Sequence, residues 1–229
     1  MKHITKFFLL AIILAAIVVP NSSCKKMLGL KLQENWEFEP VVLDPNINMS
    51  AWDFLKLRAL GSVPNDTIFK RMYQGIIYSG IDTNLYTQPN KTYLFLHNDA
   101  VYRKSGSTIT TDSYFGYYKV GSPAKAATFW EEYPKETVKN WLLYLIAEGD
   151  HNFSSVNNIV KEVPTLLPKN TDPKNPESMI YFSIQNDQNF KFRINDFIGT
   201  KRSTQARTAG IIATNGPIHV VDRIVEFNK

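Results

Sequence analysis

The chain predicts an α+β fold, because helical periodicity is concentrated early, β-branched runs are concentrated late, and no alternating strand-helix-strand pattern joins them. Its 229 residues are 44% apolar, 13% aromatic and 21% charged, which is material for one substantial core and excludes a disordered or fibrous polymer. No internal repeat is visible.

The elements follow in order. Lys2 and Lys6 precede an unbroken apolar run from Phe7 to Val19, then Pro20, Asn21, Ser22 and Ser23, the layout of a secretory signal peptide. The run is shorter than the roughly 20 residues a spanning helix needs. Residues 1–23 are therefore expected to be removed, residues 24–47 to form a tether, and 48–229 to form the folded domain. Removing Lys2 and Lys6 leaves 24 basic against 21 acidic residues, so the formal charge drops from +5 to +3. With no dense basic stripe, nucleic acid is not an expected partner.

Ser50 with Asp53 three places on marks a helix start, followed by Trp52, Leu55 and Leu60 before Gly61. A second helix is expected from Asp66 to Ser79, where Ile68, Phe69, Met72, Tyr73, Ile76 and Ile77 form one stripe and Gly80 suits the stop. Residues 92–96 are β-prone, and Asn98 can start a brief helix. Residues 105–122, rich in Ser, Thr, Gly and Tyr, suggest a hairpin or loop at the surface, within an insert near 103–132. Pro134 opens a third helix with Val138, Trp141, Leu142, Leu145 and Ile146 on one face, ended by Gly149. Residues 166–176 carry a loop signature. Strands are expected at 179–185, 190–195 and 210–214, the last turning through Asn215 and Gly216, both of which tolerate positive φ, into 218–227.

Two resemblances sharpen this reading. The sequence Ser22-Ser23-Cys24-Lys25-Lys26 resembles the lipoprotein signals of Bacteroidetes-type bacteria, which implies that Cys24, the single cysteine, carries lipid and holds the protein to the outer membrane. Cell-surface display is expected over a periplasm-facing position. A plain secreted protein with an incidental cysteine is the alternative.

The stretch Ala213-Thr214-Asn215-Gly216-Pro217-Ile218-His219-Val220-Val221-Asp222-Arg223-Ile224-Val225 resembles the second conserved motif of fasciclin (FAS1) domains. Thr92 to Val101 is similar to the first motif, with Thr92, Leu94, Asn98, Ala100 and Val101 in place but Leu96 and His97 standing where Pro and Thr are usual. Leu142-Leu143-Tyr144-Leu145 resembles the family's Leu-Leu-x-Tyr-His segment, with Tyr144 kept and Leu145 where the histidine would be. The resemblance implies a wedge-shaped β-sandwich with packed helices and a noncatalytic role in adhesion or extracellular binding. It implies that Thr92, Asn98, Ala100, Tyr144, Thr214, Asn215, Gly216, His219 and Asp222 are structural. The departure at Leu145 removes the basis for carrying over the integrin contact associated with the Tyr-His segment.

No phosphate loop, dinucleotide fingerprint or nucleophile elbow occurs, and His97 and His151 stand apart in sequence, so no cofactor, metal or catalytic residue is expected. Lys201, Arg202 and Arg207 are expected to be merely solvated. Tyr114, Phe115, Tyr117 and Tyr118, in a polar segment, are the candidate binding residues, since amphipathic aromatics in exposed loops serve as contacts for sugars and proteins. The function classes left open are a lipid-anchored envelope protein binding a protein partner or a glycan, as an accessory of a SusC/SusD-type uptake complex; a structural adhesion protein; and, last, a hydrolase.

Overall fold

The computed structural model describes residues 44–61 and 67–227. The leader, Cys24, most of the tether and the expected helix start at Asp66 lie outside the described residues. Helix α1 spans Ala51–Leu60. Ser50 caps it as expected, its Oγ accepting from the Asp53 amide at 3.1 Å and donating to the Asp53 carboxylate at 2.7 Å. Helix α2, Lys70–Ser79, starts later than expected, with Ile68 and Phe69 in the turn before it; it buries Met72, Gly75 and Ile76 and stops at Gly80, whose φ of 68° is the left-handed conformation a C-terminal glycine supplies.

Strand β1, Lys91–Leu96, is followed by the one-turn helix α3, Asn98–Val101. The insert then contributes strands β2 (Lys104–Ser105) and β3 (Thr108–Ile109), the short helix α4 (Tyr114–Tyr117) and a 3₁₀ turn at Trp130–Glu132. Helix α5 runs from Lys135 to Tyr144. It does not continue to Gly149: Leu145 closes it, and Ile146–Glu148 becomes strand β4, pairing antiparallel with β1. The apolar run that extended the helical stripe belongs to a buried strand, an ambiguity periodicity alone does not resolve.

Strands β5 (Lys161–Pro164), β6 (Met179–Ile184), β7 (Phe192–Ile194), β8 (Thr204–Gln205), β9 (Thr208–Ala213) and β10 (Gly216–Val221) complete the chain. Two four-stranded sheets result, with strand orders β4-β1-β10-β9 and β5-β6-β7-β8. The class is α+β, as expected. The sheets face one another: Phe192 of β7 stacks on His219 of β10 with ring centroids 3.9 Å apart. At one edge the ladder passes between sheets, where the Leu166 amide donates to the Ile146 carbonyl at 2.9 Å.

In the first sheet β1 pairs with β10 in parallel, Tyr93 opposite Ile218 and Leu96 opposite Val221. The stretches that resemble the two FAS1 motifs thus lie side by side. Residues 45–47 dock on β9, the Ile47 amide donating to the Ile212 carbonyl and the Ile212 amide to the Pro45 carbonyl. The last strand is shorter than expected. It ends at Val221, and Ile224, Val225 and Phe227 turn back as buried residues of the main core.

Candidate functional site

The motif residues converge on the seam between β1 and β10. Asn215 does not adopt positive φ; the two-residue turn is Thr214-Asn215, with Gly216 already paired opposite Ala213. The Asn215 side chain is a buried hub. Its Oδ1 accepts from the Ala51 amide at 2.8 Å, and its Nδ2 lies 2.8 Å from the Tyr93 hydroxyl and 3.0 Å from the Tyr86 carbonyl. It therefore ties the start of α1, the β1 strand and the last hairpin together. Gly216 is required by proximity, since a Cβ there would lie 2.0 Å from the Lys91 carbonyl oxygen at a φ of 146°. Thr214 is exposed, and its amide donates to the Met49 carbonyl.

Thr92 is fully buried, donating to the Gly149 carbonyl at 2.7 Å and accepting from the His151 amide at 2.8 Å. His219 is equally buried. Its Nδ1 accepts from the Gly210 amide at 3.2 Å, and its Nε2 lies 2.7 Å from the His151 carbonyl. Those partners assign a neutral ring with the proton on Nε2, because a second proton on Nδ1 would face an N–H donor. Burial pushes its pKa down to about 4. His219 is thus a hydrogen-bonded structural residue whose partners are backbone groups, not its neighbour in sequence Asp222.

Asp222 instead pairs with Arg103 at 3.1 Å, and Arg207 stands 3.9 Å from it. Arg207 and Arg202 are accordingly not mere solvated charges. Arg202 lies over the Tyr117 ring at 4.9 Å and reaches the Thr111 carbonyl. Asn98 joins α2 to α3, accepting from the Arg71 amide at 2.9 Å and donating to the Thr67 carbonyl at 2.7 Å, and Ala100 is buried beneath it. Among the described residues no three His, Cys, Asp or Glu side chains form a group able to hold a metal ion.

The aromatic insert is not an exposed loop. Tyr114 and Phe115 are 1% and 0% exposed and belong to the core, with Phe115 edge-on to Trp130 at 4.9 Å. The insert's Ser, Thr and Gly residues signal polarity, while its aromatics fold inward beneath them. Tyr117 and Tyr118 are half-buried, and of the insert's large apolar side chains Phe129 is the one strongly exposed.

Two of the four candidates nevertheless reach a cleft. About 240 Å³ of open space lies between α5, residues 171–175 and residues 225–227, with Tyr114 and Tyr118 along one side. Helix α5 presents Thr137, Asn140, Trp141 and Tyr144 to it, spaced as a single helical face. Trp141 and Tyr118 are stacked, centroids 4.4 Å apart, as a firm aromatic wall. Tyr144 closes the base: its hydroxyl accepts from Asn195 Nδ2 at 3.0 Å, and the same Nδ2 donates to the Glu226 carbonyl at 2.8 Å. Asn195 holds this position from a φ of 55°, which Asn tolerates better than most residues.

Two carboxylates, Asp172 and Glu226, line the cleft, and no lysine or arginine does. Glu226 Oε1 accepts from the Tyr117 hydroxyl at 2.9 Å. Its Oε2 is buried with no hydrogen-bond partner among the described residues. Burial raises the Glu226 pKa, against the Tyr117 hydrogen bond and the nearby charges of Arg202 and Lys174, while Asp172 pushes it further up. Sequence reasoning missed Asn140, Asp172 and Glu226 and placed Trp141 in a core stripe. The spacing of 137, 140, 141 and 144 carried a signal for a shared helical face; Glu226, in a segment expected to be strand, carried none.

The fold and site define an α+β domain of two facing four-stranded sheets with one aromatic-walled, acidic cleft beside the third long helix. No family model matches the chain, and no curated protein matches it. Among solved structures, the chain is similar to a FAS1 domain pair from the insect cell adhesion molecule fasciclin I, with 13% identity and a TM-score of 0.45 over 71% of this chain and 46% of that one. The chain thus spans less than half of that structure's length in the match.

Proposed function

We propose that this protein is a noncatalytic, FAS1-like binding domain, lipid-anchored through Cys24 at the outer face of the bacterial outer membrane, whose ligand is a glycan held in the cleft beside α5. The observation that carries the reading is the cleft itself. It combines a stacked Trp-Tyr wall with hydroxyl, amide and carboxylate side chains, the mixture of apolar body and placed polar groups expected of a small-ligand site. About 240 Å³ suits one ring-sized group, not a drug-sized molecule. The adjacency of β1 and β10 supports the FAS1-like assignment, because it makes one structural unit of two stretches far apart in sequence.

A second reading, contact with a protein partner such as a SusC/SusD-type complex or an adhesion surface, is favoured by the exposed Phe153 and Phe190. They flank a groove of about 420 Å³ beside Arg207. Titration of a glycan panel into the full chain, followed by tryptophan fluorescence, tests the first reading. Binding that Tyr118→Ala and Trp141→Ala both abolish supports it; unchanged binding in both variants overturns the site. Release of Cys24→Ala protein from the membrane fraction tests the anchor, and protection of wild type from protease on intact cells would overturn surface display.

A further inference from the structure

The geometry points to a free amine on the ligand: we infer that the group seated in the cleft is a hexosamine carrying an unacylated, positively charged amino group. This deepens the glycan reading above and rests on it. The lining carries two carboxylates, Asp172 and Glu226, and no cationic side chain, so the field inside favours a cation over a neutral or anionic group. Glu226 is half satisfied. Tyr117 donates to one oxygen while the other has no partner among the described residues, a state that costs free energy until a donor arrives. The terminal torsion of a glutamate is soft, so that oxygen can turn toward a donor entering the cleft.

An ammonium is the donor that fits best. It forms charge-assisted hydrogen bonds, roughly twice as strong as neutral ones, and it is attracted to the electron-rich rings of Tyr118 and Trp141. Of the other polar side chains, Asn175 is taken up by the Met179 backbone, and Thr137, Asn140 and Thr171 match the hydroxyls of a pyranose ring. The cationic groups nearest Glu226, Arg202 and Lys174, stand outside the lining: Arg202 is spread over Tyr117 and reaches the Asp112 carboxylate at 3.5 Å. Acylation of the amine would remove both its charge and its capacity as a multiple donor.

Three β-1,4-linked tetrasaccharides that differ at one ring position separate the outcomes: the free-amine glucosamine tetramer, its N-acetylated counterpart and cellotetraose. Each is titrated into the full chain at a series of pH values from mildly acidic to neutral, because the contact needs the amine charged and the Glu226 carboxylate, whose pKa is raised, ionised, with tryptophan fluorescence as readout. The free-amine tetramer should bind about tenfold more tightly than the other two, as expected for a desolvated ammonium-carboxylate contact. That preference should be lost in Glu226→Gln and in Asp172→Asn, with melting temperatures no lower than wild type showing that both variants fold. Equal binding of all three sugars overturns the amine inference and leaves the glycan cleft standing. Binding by none of them overturns both. A free-amine preference that survives in both variants places the amine elsewhere and overturns the inference.

Discussion

Three buried polar side chains at one seam and one carboxylate at the cleft are handled in opposite ways. At the seam of β1 and β10, Asn215, Thr92 and His219 are buried and each polar side-chain atom has a partner. At the cleft, Glu226 is half-buried and one of its oxygens has none among the described residues. A satisfied buried network specifies a fold, whereas an unsatisfied group costs stability that only another role offsets. The difference separates residues that resemble a site in sequence from residues that can act as one.

The comparison can be broken most forcefully at Gly216. A Cβ there meets the Lys91 carbonyl at 2.0 Å, so Gly216→Ala must push β10 away from β1. A loss of about 4 kcal/mol or more in urea unfolding is expected, the range of severe backbone conflict. Asn215→Ala should follow, at about 2–4 kcal/mol, because it strands the Ala51 amide and removes a partner of Tyr93 together. Stability within about 1 kcal/mol of wild type would show that the hub is dispensable.

His219 gives a pH-dependent prediction. Its folded pKa, about 4, lies below the unfolded value of about 6.5, so the unfolded chain takes up the proton first. The stability supplied by the neutral ring is complete above about pH 6.5 and is lost as pH falls towards 4, by about 3 kcal/mol in all. Thermal melts across that window should show the loss, and His219→Gln should flatten the profile between those limits.

Glu226→Gln is the smallest expected effect and has the opposite sign. The raised folded pKa means that ionising Glu226 is disfavoured by folding, so wild-type stability falls as pH rises above the unfolded value near 4.5. The amide keeps an acceptor for Tyr117 and carries no charge, so the variant should match wild type in acid and exceed it slightly at neutral pH. A clear destabilisation at neutral pH in melting experiments would make Glu226 a member of the structural network and erase the contrast.

The α+β class, α1 with its Ser50 cap, the Gly80 stop of α2 and the last hairpin were legible because each depends on local periodicity or a turn residue. The end of α5 was not, since Leu145 and Ile146 extend the helical stripe while belonging to the strand side of the boundary. The aromatic insert misled because polar spacing among Tyr114, Phe115 and their neighbours signals exposure, yet rings of that size are buried when a core is within reach. The cleft was the least legible feature. Its lining comes from the insert, α5, a loop and the terminal segment, and only tertiary packing brings Asp172 near Glu226. Asn215 and His219 were expected to be structural, and the partners that hold them, the Ala51 amide, the Tyr93 hydroxyl and the His151 carbonyl, come from distant segments that their sequence neighbours do not reveal.

The parallel pairing of β1 with β10 has a bearing on how this molecule is made. Asn215 and Tyr93 are 122 residues apart, so the central strand of the first sheet waits for nearly the whole polypeptide to be synthesised before its neighbour exists. Until then β1 offers an open edge to any other extended chain. A nascent or truncated form ending before Gly216 would therefore be the species that chaperones must shield and proteases would clear.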